Sequence, residues 1–138
     1  MINNPANGWC DITIGEWSER CKEYNDVPYM LFDAIEECLR TLNPTVVKLN
    51  GDGYKYTIVF DQNKTHIISD KEVQTAYITI AVGVIELAKQ LIDDIRENLN
   101  DWALWFSCSD DEYEDRKKDL EVMCQVLERR CSWWEVSE

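Results

Sequence analysis

Three groups of side chains in this chain are of kinds that do chemistry. They are the sole histidine, His66; the cysteines Cys10, Cys21, Cys38, Cys108, Cys124 and Cys131; and the carboxylates Asp93, Asp94, Glu97 and Asp101. A thiol beside His66 would be a nucleophile with its base. Cysteines in C-x-x-C pairs would hold structural zinc. Carboxylates stacked on one helix face would hold magnesium for phosphoryl transfer. Spacing argues against all three. The closest cysteines, Cys124 and Cys131, are seven residues apart, which on a helix is about 10 Å along the axis and too far for one ion. His66 has no second histidine to complete a metallohydrolase site, and between Thr65 and Ile67 it reads as a strand residue. Asp93, Glu97 and Asp101 share a helix face by the i, i+4 rule, but that face offers little Lys or Arg to hold a phosphate. Gly51 and Gly53 belong to a hairpin turn rather than a strand-to-helix loop, and no serine stands in an elbow motif. No catalytic residue, metal ligand or cofactor is assigned. The chain reads as a binding protein, not an enzyme.

What the carboxylates do without a metal follows from their number. The chain carries 27 Asp and Glu against 14 Lys and Arg, a net charge of −13 over 138 residues. The surplus thickens at Asp93, Asp94, Glu97 and Asp101, then from Asp110 to Glu121. Such a surface repels nucleic acid and anionic membrane and draws in basic proteins from a distance. Like charges four apart on a helix cost a few tenths of a kcal/mol, so an uncompensated acidic face points to use of its field. Aromatic side chains ringed by charge supply the anchors of protein interfaces. Trp102 falls on an apolar stripe and reads as core, whereas Trp105, at the margin, reads as a contact. Trp133 and Trp134 either cover the last helix end or extend the contact. The expected partner-binding residues are Asp93, Asp94, Glu97, Asp101, Trp105, Asp110, Asp111, Glu112, Tyr113 and Asp115.

These residues need a scaffold, and 138 residues suffice for one domain, 1–138, with a real core. A hydrophobic fraction of 45 % is too high for disorder. The N-terminus has no secretory pattern, and no run approaches the roughly 18 apolar residues of a membrane span. The expected location is cytoplasmic, with thiols kept reduced. Cys10 to Trp17 alternates as a half-buried strand, followed by a polar loop from Ser18 to Asp26. Asp26 and Pro28 start a helix whose stripe is Leu31, Ala34, Ile35, Cys38, Leu39 and Leu42, and Asn43-Pro44 ends it. Thr45 to Leu49 and Tyr54 to Phe60 flank the turn residues Asn50-Gly-Asp-Gly53. A second turn at 61–64 leads to the strand Thr65 to Ser69, and a loop from Asp70 to Gln74 leads to Thr75 to Val82. Short connections favour an antiparallel meander. From Val84 onward Leu87, Leu91, Ile95, Leu99, Trp102 and Phe106 step by three and four. Ser109 then caps a last helix with Tyr113, Leu120, Met123, Cys124, Leu127 and Cys131 on one face, where Lys117 and Lys118 follow acids at a stabilising spacing. The order β-α-β-β-β-β-α-α implies an α+β fold, an antiparallel sheet of four to five strands packed by helices.

Four segments carry a resemblance: Asn7-Gly-Trp-Cys-Asp-Ile-Thr-Ile-Gly-Glu-Trp17, Asp26-Val-Pro-Tyr-Met-Leu-Phe-Asp-Ala-Ile35, Tyr54-Lys-Tyr-Thr-Ile-Val-Phe-Asp61 and Leu87-Ala-Lys-Gln-Leu-Ile-Asp-Asp-Ile95. In style and length the chain resembles the small acidic bacterial immunity proteins of polymorphic and contact-dependent growth-inhibition toxin systems. The resemblance implies a protein that caps a toxin domain, commonly a basic nuclease, inside the producing cell. It carries over no functional residue by position. The expectation is an immunity-type inhibitor that occludes the active or nucleic-acid-binding surface of a basic toxin or nuclease, without touching nucleic acid or membrane itself. Two alternatives keep part of the evidence: a phage-encoded DNA mimic that blocks a host defence nuclease, as anti-CRISPR proteins do, and a small enzyme using a Cys with His66 or an acidic metal site. The oligomeric state is open at this level.

Overall fold

Before the first helix the chain makes three antiparallel strands, β1 (Ile2–Ala6), β2 (Trp9–Ile14) and β3 (Trp17–Lys22), in that spatial order. The structure is a computed structural model and describes residues 1–6, 8–22, 26–105 and 110–137. Cys10, Ile12 and Ile14 of β2 face inward, as alternation requires, opposite Cys21, Glu19 and Trp17 of β3. The turn between them is Gly15-Glu16, and Gly15 takes the left-handed φ of +57°. The segment expected as a loop from Ser18 is therefore strand as far as Lys22. Its polar residues are why it escapes a hydrophobic count: of β3 only Trp17 and Cys21 are buried apolar residues. Glu19 shares that inner face and is held there, accepting a 3.2 Å hydrogen bond from the Tyr56 hydroxyl and pairing with Lys71.

Helix α1 (Val27–Thr41) begins where Asp26 accepts the Tyr29 N–H at 3.4 Å, with Pro28 in the first turn. It ends at Leu42, whose φ is +64° and whose N–H bonds Cys38 O at 2.9 Å. Leu42 is thus an exposed cap rather than part of the stripe. A second antiparallel sheet follows, β4 (Thr45–Asn50), β5 (Lys55–Phe60), β6 (Thr65–Lys71) and β7 (Gln74–Ile80), in sequence order. One inner row runs Val47, Ile58, Ile67, Ile78 across the four strands. The loop expected from Asp70 to Gln74 shrinks to Glu72-Val73, since Lys71 pairs directly with Gln74. Glu72 supplies the positive φ, at 44°, that a glycine would have advertised.

Gly83 leads into α2 (Val84–Glu97), followed by α3 (Leu99–Trp105) and α4 (Asp110–Ser137). A Cβ on Gly83 would lie 2.0 Å from the Gln62 carbonyl oxygen. The β5–β6 turn therefore presses on the helix start, and only glycine fits. Ser109, the expected cap of the last helix, and Phe106 lie outside the described residues. Helices α1, α2 and α4 pack on one another, α1 lies on β4 and β5, and α2 and α3 lie on β1. The fold is α+β, antiparallel and helix-packed, as expected. Its strands are divided into sheets of three and four rather than gathered in one. The five described cysteines are free and buried.

Candidate protein-binding surface

The polar edge of α2 meets α4 along a ladder of charge. Arg96 donates to Glu121 at 3.2 and 2.7 Å and to Glu128 at 2.7 Å, and Lys89 pairs with Glu135. Asp93 lines the same cleft, of about 320 Å³, with Lys89, Arg96, Glu128 and Glu135. Glu128 and Glu121 raise the pKa of the Arg96 guanidinium, and Arg96 in turn holds the Glu128 carboxyl below its usual range. Cations therefore alternate with the acids here, and this stretch of the expected stripe is compensated. The sequence signal was present in Lys89 and Arg96, which stand four before and three after Asp93.

Asp94 faces the other way. Its carboxylate accepts the Ile2 N–H at 3.1 Å and pairs with the Met1 amino group, so it fastens β1 to α2. The expected single helical run breaks at Asn98, although the Trp102 N–H still reaches Asn98 O at 3.0 Å. Trp102 is fully buried, and its indole N–H bonds the Asp94 carbonyl at 3.3 Å. Trp105, expected as a surface contact, is only 8 % exposed. It packs edge-on to Trp102, with centroids 5.8 Å apart. Three residues after Trp102, Trp105 shares its inward face, which removes it from the surface set.

The uncompensated acids gather at and beyond that break. Glu97 and Asp101 line a groove with Arg96, Asn98, Asn100 and Lys117. The Tyr113 hydroxyl, half-buried, donates to Asn100 Oδ1 at 2.9 Å and ties the start of α4 to α3. Asp111, Glu112 and Asp115 are exposed on that first part of α4. Asp110 heads the helix, and its side chain lies outside the described residues. Glu114 and Asp119 join the group, and their helical spacing from Asp111 and Asp115 could have found them. Glu97, Asp101, Asp111, Glu114, Asp115 and Asp119 are all exposed. None makes an ion pair among the described residues. At the far end of α4 Trp133 is exposed under Arg130, whereas Trp134 is half-buried and bonds the Leu39 carbonyl.

His66 stands on the outer face of the β4–β7 sheet and shares a 3.0 Å hydrogen bond with the Thr79 hydroxyl. The described cysteines lie in the core on the other side, so the sheet separates imidazole from thiol. Burial pushes the thiols of Cys38 and Cys124 up to about 11 and that of Cys21 up to about 12, where they are not thiolates at neutral pH. Among the described residues no three His, Cys, Asp or Glu side chains are grouped to hold a metal ion, and no helix is long and apolar enough to cross a membrane. No protein family, curated protein or solved structure was found to match this chain.

Proposed function

We propose that this protein is an immunity-type inhibitor that meets a basic toxin or nuclease with the acidic end formed by α3, the last turn of α2 and the first half of α4. It occludes the partner's active or nucleic-acid-binding surface within the cytoplasm of the bacterial cell that makes both. One observation carries the reading: six exposed carboxylates, Glu97, Asp101, Asp111, Glu114, Asp115 and Asp119, share this end without ion pairs among the described residues, while of the cations near them Arg96 is held by Glu121 and Glu128 and Arg116 by Asp26. Carboxylates concentrated at one end of the molecule set up a field that steers a cationic surface into register and rejects anionic ones.

The test begins with capture of the partner from the producing cells, followed by association rates measured across a salt series. Association falls on the order of tenfold or more from low to high salt. The combined change Glu97→Gln, Asp101→Asn, Glu114→Gln and Asp115→Asn slows association and flattens that dependence without lowering the urea midpoint. A partner held equally well at low and high salt would sink the proposal.

A further inference from the structure

We infer that β7 is the seam of a homodimer, in which it pairs antiparallel with β7 of a second copy and joins two four-stranded sheets into one of eight. Soluble proteins blunt the open edges of their sheets with charges, proline, irregular register or covering elements. Three of the four edges here are blunted. β1 contains Pro5, has a register break between Asn3 and Ala6, and is packed by α2 and α3. β3 carries Glu19, Arg20 and Lys22, and it lies against β4, whose exposed face bears Lys48. β7 is guarded only at its Ile80 end, where the Gly15-Glu16 turn lies against it. Gln74–Ile80 holds no charge and no proline, is rich in Thr, Tyr and Ile, and has no strand on its outer side among the described residues. The uncharged run continues from Val73 to Ile85, in a chain that is 30 % charged. Tyr77 is 78 % exposed and Val73 at the hairpin tip 98 %.

The register says how the edge is used. Lys71 pairs with Gln74 across the two-residue turn, so Gln74, Ala76, Ile78 and Ile80 direct their backbone groups to β6. Thr75, Tyr77 and Thr79 then aim N–H and C=O outward. A two-fold axis at Tyr77 lets the two Tyr77 residues exchange both hydrogen bonds and sets Thr75 against Thr79 of the second copy. That operation closes on itself and does not propagate into a fibre. On the inner side, a groove of about 520 Å³ runs beside the edge, lined by Gly15, Trp17, Ile78, Ile80 and Val82 among others. Ile78 and Ile80 keep part of their surface exposed there, and the inner side chains of an added strand complete their burial.

Charge selects the occupant. Among the described residues of the strand and groove only Glu16 is ionised, so a basic segment finds almost nothing there to pair with. What fits is an uncharged strand with alternating apolar side chains, and the chain supplies one in β7 itself. Two copies of net charge −13 repel, and this neutral edge is where they touch at least cost. Salt therefore strengthens self-association by screening that repulsion, the opposite sign to the dependence expected for the basic partner. The dimer uses a different surface and stands or falls apart from the proposed function.

Sedimentation velocity of the full chain, from low to molar salt and up to millimolar concentration, reads the equilibrium. The dimer fraction rises with both. Tyr77→Pro removes an outward N–H and no β6 hydrogen bond, so it gives a monomer at every salt with an unchanged far-UV spectrum. Should that variant fold poorly, Thr79→Glu places carboxylates close to the axis, adds to the repulsion and yields the same monomer, while Val46→Glu, on the edge strand farthest from the seam, leaves the dimer intact. A monomer under all conditions, or a dimer indifferent to both Tyr77→Pro and Thr79→Glu, overturns the inference.

Discussion

Asp93 and Asp94 are the same residue side by side and do opposite work. Asp93 sits in a solvated cleft among cations, whereas Asp94 holds the first strand through the Ile2 N–H. Asp94→Ala is expected to lower unfolding free energy by about 1–2 kcal/mol, because two donors lose a charged acceptor. Asp93→Asn stays within about 0.5 kcal/mol, as surface changes do. Urea denaturation separates the two. The distinction was partly legible: Asp94 stands three after Leu91 and one before Ile95, on the margin of the apolar stripe, and Asp93 does not. The thiols give a second prediction. Cys21, Cys38 and Cys124 have native values of about 12, 11 and 11 against an ordinary 9.0, because burial penalises the thiolate. The unfolded chain therefore loses its thiol protons first. Stability is fully present below about pH 9 and declines as pH rises toward 11 to 12. Cys21→Ala and Cys124→Ala flatten that decline in urea midpoints taken from neutral to alkaline pH.

Among the elements, the helices and the middle strands could be read before the fold was seen, because their periods and punctuation are strong. Asp26 with Pro28 opens α1, and the glycine-rich turn at 51–53 separates β4 from β5. The missed elements are those whose signal is carried by few residues. β3 shows two buried apolar side chains in six, and the β6–β7 turn uses a glutamate where glycine is customary. The break at Asn98 has no proline or glycine to mark it, and Trp105, three residues after Trp102, is buried on the same face of α3. Packing strength is likewise uneven. Trp102→Ala empties the centre of the α2–α3 corner and costs about 3–5 kcal/mol. Arg96→Met removes an exposed clamp and costs about 1 kcal/mol or less. Gly83→Ala is expected to be costly for its position: its methyl group would require the backbone at Gln62 to move, which thermal melting registers as a loss comparable to a core defect.

Over the whole molecule the charge is unevenly spread. The helices hold the unpaired carboxylates at one end, while the outer face of the four-stranded sheet carries Lys48, Lys55, His66 and Asp70 around Val46, Val59, Ile68 and Tyr77. Val46, at 54 % exposure, and Tyr77 make that face the apolar side. Composition established the acidity, but only the pairing of Lys89 and Arg96 with α4 showed which acids are left over. The folded chain should gain stability from added salt at neutral pH, since screening relieves self-repulsion of a −13 body. A urea midpoint that is flat or falling with sodium chloride contradicts this.

The β4–β7 meander is built from neighbours in sequence, joined by turns of a few residues, while the contact of Ile2 with Asp94 spans 92 positions. Closing short loops is rapid and long ones slow. The meander therefore has what it needs to assemble while both chain ends are still loose. The clasp of β1 on α2 is expected among the late closures of folding, with the contact of Trp134 on the Leu39 carbonyl across 95 positions. Trp102, with its indole against the Asp94 carbonyl, sits where its fluorescence times that event.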